Sequence, residues 1–211
     1  MEISIFVFIL VGFIAQLIDG SLGMAYGVSA NSFLMGVGLP PAIASASVHT
    51  AELFTTAISG FSHWKLGNVD MGIVKRLLIP GVIGGALGAY ILVNLDGNFI
   101  KPYIAIYLLL MGIRILVTAF RSGVKTPAQA GPWLIPLGFV GGAADAIGGG
   151  GWGPIVASTL IARGSEVRLT VGSVNAVEFF VTLAASLTFS VIDSSALAGV
   201  ISSLAPSYLA S

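Results

Sequence analysis

Long apolar segments run through almost the whole of this chain and leave it few folds to adopt. Of its 211 residues, 56% are hydrophobic and only 9% are charged, whereas soluble domains carry about a quarter charged residues. A helix needs roughly 20 apolar residues to cross the hydrocarbon core of a bilayer, and several segments approach that length. The sequence therefore predicts an all-α polytopic membrane protein.

Hydropathy and helix breakers divide the chain into nine helical segments. The predicted segments are 3–18, 28–38, 42–62, 72–95, 99–120, 132–147, 154–163, 168–189 and 195–211. Two pairs are short, and each flanks a glycine-rich break, DGSLGMAYG at 19–27 and DAIGGGGWG at 145–153. Each pair is predicted to form a helical hairpin whose bend lies within the bilayer, because backbone left unpaired there must line a buried or watery cavity.

The two halves of the chain align without a gap at an offset of 126 residues. The pairs include Asp19 with Asp145, Glu52 with Glu178 and Gly27 with Gly153. We therefore divide the chain into a first repeat, 1–126, and a second, incomplete repeat, 127–211, within one transport domain. A full second repeat would extend to about residue 252 by the same offset, so we expect either a truncated sequence or a second chain that fills the gap.

Positive charge predicts the direction of the repeats. If residues 39–42 face outward, seven of the nine lysines and arginines lie on the cytoplasmic side, as the positive-inside rule favours. The two repeats are then inverted, and their glycine-rich bends enter from opposite faces and meet near the midplane.

Four carboxylates, Asp19, Glu52, Asp145 and Glu178, fall inside predicted spans as two repeat-related pairs. Such residues can merely cap helix ends or hydrogen-bond across a bundle. Placing an ionisable side chain inside the membrane costs free energy, so the duplication of these residues favours a function. We predict that they couple the movement of a substrate to that of a proton, which a carboxylate carries.

The hairpin bends also predict a site for an anion, because helix N-termini offer free N–H groups and partial positive charge. Small residues there would let oxygens reach the backbone, and nearby polar side chains could add hydrogen bonds. The predicted substrate-binding residues are Gly23, Tyr26, Gly27, Ser47, His49, Gly149, Gly150, Gly151, Trp152, Gly153, Ser173 and Asn175.

Catalysis and cofactor chemistry find little support. The chain has no cysteine, the HExxH and GxSxG motifs are absent, and GGGGWG lacks the GK[ST] of a phosphate loop. We expect no enzymatic activity, no cofactor, no metal and no nucleic-acid partner.

GFIAQLIDGSLGMAYG, SASVHTAELFTTAISGFSHWKLGNVD and GFVGGAADAIGGGGWGP resemble the sulfite exporter TauE/SafE family, also called the 4-toluene sulfonate uptake permeases. The resemblance covers most of the chain. It implies a multi-pass carrier of sulfite or small organosulfonate anions in the lipid bilayer of the cytoplasmic (inner) membrane. The carrier can be a monomer or a homo-oligomer. Coupling to protons or sodium is expected. The alternative is a passive anion channel or a membrane-embedded subunit of a larger complex.

Overall fold

The computed structural model describes residues 5–22, 25–120 and 131–192. Gly23, most of the predicted linker at 122–131 and the predicted last segment, 195–211, lie outside the described residues. The helices are α1 (Ile5–Leu22), α2 (Tyr26–Gly36), α3 (Pro41–Lys65), α4 (Met71–Asn94), α5 (Gly97–Ala119), α6 (Leu134–Gly148), α7 (Trp152–Ala162) and α8 (Val167–Ile192). The prediction of an all-helical protein is confirmed for this part of the chain.

Helix boundaries repeat at the offset found in the sequence. The arm α2 starts at Tyr26 and ends at Gly36, and α7 starts at Trp152 and ends at Ala162, 126 residues later at both ends. Each of these short arms follows a longer helix, α1 or α6, so each half contains a hairpin as predicted. The inverted orientation of the halves stays a prediction.

The arm α7 differs from α2 in its first turns. Its residues Trp152–Ala157 form a π-helix, and only Ser158–Ala162 continue as α-helix. Pro154 lies in this segment and has no N–H to donate, while its carbonyl accepts bonds from the side chains of Ser158 and Arg114. Isolated π-turns of this kind are frequent at functional sites.

Glycines on α4 hold it against α6 and α8, its two most extensive helix contacts. A Cβ atom at Gly88 would lie 2.5 Å from the carbonyl oxygen of Ala143, and one at Gly85 would lie 3.0 Å from Val181. Small residues at helix interfaces let backbones approach closely, which is how helices pack in lipid. A helix of the first half is thereby packed into the second half.

Apolar side chains cover much of the outer surface, as expected for helices that contact lipid. Within the described residues, four helices are long and apolar enough to cross a membrane, namely Ile5–Leu22, Met71–Asn94, Gly97–Thr118 and Val167–Ile192. The helix α3, predicted as a span at 42–62, is not among the four. It carries a buried polar face that includes Ser45, His49, Glu52 and Thr56, which lowers its hydropathy but supplies part of the site described next.

Candidate functional site

The tips of the two hairpins touch through glycine backbone. A Cβ atom added at Gly27, in the first turn of α2, would lie 2.7 Å from the Cα of Gly150 and 3.1 Å from the carbonyl oxygen of Gly149. The bend after α6 also needs glycine for its conformation, because Gly149 has φ +63° and Gly150 has φ +155°, values that side chains disfavour. The two glycine-rich segments therefore touch, as predicted, and their entry from opposite faces to a meeting point near the midplane stays a prediction.

Each hairpin is capped by the aspartate of its own glycine-rich segment. Asp19 Oδ1 accepts hydrogen bonds from the N–H groups of Ala25 at 2.7 Å and Tyr26 at 3.0 Å. Asp145 Oδ1 does the same for Gly151 at 2.7 Å and Trp152 at 3.0 Å. These carboxylates thus satisfy N–H donors at the start of each arm, donors that have no partner within the helix itself.

This capping reduces the number of N–H groups at the helix N-termini that remain free to bind an anion. Ala25, Tyr26, Gly151 and Trp152 already direct their N–H groups to a carboxylate. The next residues in the two arms, Gly27 and Gly153, lie at the wall of a cavity.

That cavity has a volume of about 90 Å³ and lies where the hairpins meet α3 and α8. Ten of the predicted site residues line it, and they come from both repeats. They are Asp19, Tyr26, Gly27, Glu52, Asp145, Gly150, Gly151, Gly153, Asn175 and Glu178. All four predicted coupling carboxylates are among them, and no lysine or arginine is among the described residues of its lining.

Five described residues that were predicted to bind substrate are not in the lining, and a sixth, Gly23, is outside the described residues. Ser47 donates to the carbonyl of Ile43 within α3, Ser173 accepts from the N–H of Asp70, and Gly149 is the C-cap residue that follows α6. Trp152 is fully buried, with its indole N–H on the carbonyl of Val174 at 3.1 Å.

The fifth of these described residues, His49, is fully buried behind the cavity wall between α3 and α6. Its Nδ1 lies 2.8 Å from the carbonyl oxygen of Ser45, and its Nε2 lies 3.3 Å from Asp145 Oδ2. Ligand atoms of His49, Glu52 and Asp145 all lie within 4.8 Å of one another. The second carboxylate oxygen of Asp145 therefore faces a histidine while the first caps α7.

Several contacts at the hairpins escaped the sequence analysis. Tyr107 of α5 donates from its hydroxyl to the carbonyl of Gly150 at 3.1 Å. Arg114 of α5 donates to Pro154 O and Thr159 Oγ1, both at 2.7 Å. Asn31 donates to the carbonyl of Gly148 at 2.5 Å. The intramembrane position of Arg114 was the one available signal, since such charges usually have a partner.

A polytopic helical protein in which two broken hairpins enclose a carboxylate-lined cavity has the architecture of a membrane transporter. The chain matches the family model of the sulfite exporter TauE/SafE over residues 8–211. It belongs to that family.

The chain is also similar to the probable membrane transporter protein YtnM of Bacillus subtilis (strain 168), with 47% identity over 192 residues. That alignment covers 88% of this chain but 64% of the relative, so the chain spans less than two thirds of the length of the protein it matches. No solved structure matches the chain.

Proposed function

We propose that the protein transports sulfite or a small organosulfonate or other sulfur-containing anion across the cytoplasmic membrane, coupled to protons or sodium ions. The observation that carries the proposal is the single cavity at which both hairpin tips and all four intramembrane carboxylates meet. The family membership supports transport, and its name supports a sulfur oxyanion.

The charge of the cavity supports coupling. Four carboxylates line it without a lysine or arginine among the described lining residues, so a lone anion would be repelled in a medium where charges interact more strongly than in water. A cation that binds to the carboxylates removes that repulsion. Anion and cation then occupy the cavity together, so a gradient of the cation can drive movement of the anion.

The size and lining of the cavity favour a compact anion. A volume of about 90 Å³ holds only a few non-hydrogen atoms. Ser59 and Asn175 lie in its wall and can donate hydrogen bonds from a hydroxyl and an amide group, whereas the Thr55 hydroxyl donates to the carbonyl of Glu52 at 3.3 Å. Gly27 and Gly153 also line the cavity without a side chain, whereas the N–H of Gly151 is already bonded to Asp145.

The test is flux in proteoliposomes that contain the purified protein. Labelled sulfite, a small sulfonate, sulfate and a matched monovalent cation are offered under an imposed proton gradient, an imposed sodium gradient or no gradient. We expect saturable uptake of one sulfur anion, acceleration by one gradient, and counterflow when the vesicles are preloaded with the same anion.

Flux that rises linearly with concentration and shows no counterflow would favour a passive anion channel. No flux without an added partner would favour a subunit of a larger complex. Uptake of the cation alone, with no dependence on any anion, would reject the proposed substrate class.

A further inference from the structure

We propose that His49, Glu52 and Asp145 form a binding site for one divalent transition-metal ion of the zinc or manganese type. The ligand atoms of these three residues lie within 4.8 Å of one another, and all three residues are buried. The site joins α3 of the first half to α6 of the second. It does not depend on which anion the protein carries.

The histidine is oriented as a ligand. A backbone carbonyl only accepts hydrogen bonds, so Nδ1 of His49, 2.8 Å from the carbonyl oxygen of Ser45, carries a hydrogen. In the neutral ring Nε2 then has a lone pair, and this nitrogen lies 3.3 Å from Asp145 Oδ2. Metal-bound histidines commonly donate their other N–H to a carbonyl in this way.

The separation of Nε2 and Asp145 Oδ2 fits two ligands of one ion better than a direct ionic hydrogen bond. The atoms are 3.3 Å apart, whereas a charge-assisted N–H···O bond is about 2.7–2.9 Å long. Two ligands bound tetrahedrally at about 2.0–2.1 Å lie roughly 3.3–3.4 Å from each other. When Nε2 carries no hydrogen, one cation can bind to both Nε2 and Asp145 Oδ2 at this separation.

A second, independent observation supports the metal site, namely an unpaired carboxylate oxygen on Glu52. Glu52 is 4% exposed, and its Oε2 is buried and has no hydrogen-bond partner. Burying an ionised carboxylate without a partner is costly, and coordination to a metal ion removes that cost. Since Glu52 and Asp145 also line the cavity, an ion can reach them from it, and water can complete the coordination.

The mixture of ligands selects the class of metal. One imidazole nitrogen and two carboxylates suit zinc, manganese, cobalt or ferrous iron, whereas sodium, calcium and magnesium prefer oxygen alone. The second half cannot build the same site, because its counterpart of His49 is Asn175. The amide of Asn175 donates to Ser59 Oγ at 2.7 Å, so one ion per chain is expected.

The test uses the full chain without an affinity tag, purified in detergent, dialysed against chelator and titrated with Co²⁺ and Zn²⁺ by calorimetry and visible absorption. The variants are His49→Asn, which copies residue 175, and His63→Asn as the control, since these are the two histidines of the chain. We expect one ion bound per chain in the wild type and in His63→Asn, and at least 10-fold weaker binding in His49→Asn. Magnesium and sodium at the same concentrations should not compete.

A readout on the wild type keeps the test decisive if His49→Asn fails to fold. In protein labelled with ¹⁵N at both histidines, Zn²⁺ should shift the ring nitrogens of one histidine, and the His63→Asn spectrum should retain that signal. Absence of a bound ion in the wild type, equal affinity in a folded His49→Asn, or loss of binding in His63→Asn would each overturn the proposal. A permanently protonated Nε2 that does not respond to metal would show instead that the cation between His49 and Asp145 is a proton.

Discussion

Replacing Gly27 by alanine tests the contact between the hairpin tips directly. The new Cβ would lie 2.7 Å from the Cα of Gly150 and 2.8 Å from Glu52 Oε1, whereas carbon atoms in contact prefer about 3.5–4.0 Å. Relief of the first contact requires movement of backbone, because Gly150 Cα and the carbonyl oxygen of Gly149, 3.1 Å away, are both main-chain atoms. Overpacking of this kind costs about 1–3 kcal/mol.

The helix itself gains from the same change, since glycine within a helix is about 0.5–1 kcal/mol less favourable than alanine. For Gly27→Ala we expect a net loss of about 1 kcal/mol of unfolding free energy. A chain of this size loses roughly 2–4 °C of melting temperature per kcal/mol, so the transition should fall by about 2–4 °C.

Gly112→Ala is the matched control. Gly112 lies within α5, and a Cβ there would meet nothing within 4 Å, so only the helix-propensity gain remains and the melting temperature should stay level or rise slightly. Melting is followed by circular dichroism at 222 nm in one detergent for all three proteins. A Gly27→Ala protein that melts at or above the wild type, or a Gly112→Ala protein that falls as far, would refute the close approach.

Three further changes test other contacts. Arg114→Met removes the bonds to Pro154 O and Thr159 Oγ1 and should cost about 1–2 kcal/mol, measured as a lower melting temperature; an unchanged transition would contradict the role of Arg114 in holding α7. Trp152→Phe removes the indole hydrogen bond to the carbonyl of Val174 and empties part of the space that the fully buried indole fills. It should cost about 1–3 kcal/mol in the same assay; an unchanged transition would contradict the contribution of the indole to packing. Glu178→Gln removes a cavity carboxylate and should lower gradient-driven uptake at least 10-fold with little effect on expression; full gradient-driven uptake would reject a coupling role for Glu178.

The helical hairpins followed from the sequence because glycine clusters interrupt otherwise apolar segments. The breaks proved shorter than predicted. Helix α1 continues to Leu22 although its predicted end was residue 18, and α2 begins at Tyr26 although its predicted start was residue 28. The aspartate in each break explains the difference, since Asp19 lies inside α1 and reaches forward to cap the next arm.

The repeat also led to ten of the residues that line the cavity, because a polar residue that recurs at the same offset in an apolar sequence is a strong indication of a buried site. The repeat could not predict which polar side chains form hydrogen bonds or ion pairs with each other. The pairing of His49 with Asp145 joins residues 96 positions apart, and the repeat gives no parallel for it. Tyr107 and Arg114 were missed for a related reason: their counterparts at the same offset would fall at 233 and 240, beyond the 211 residues of the sequence.

The glycine contacts of α4 also constrain how the chain can be made. The helix is complete at Asn94, but α6 and α8 end at Gly148 and Ile192. At about 5–20 residues per second, translation needs roughly 5–20 seconds to supply the last of these partners. During that time the close-packing surface of α4 faces lipid or the insertion machinery. Assembly of the first half therefore waits on the second, and a ribosome that pauses before α8 leaves an intermediate in which α4 can pack against α6 but not yet against α8.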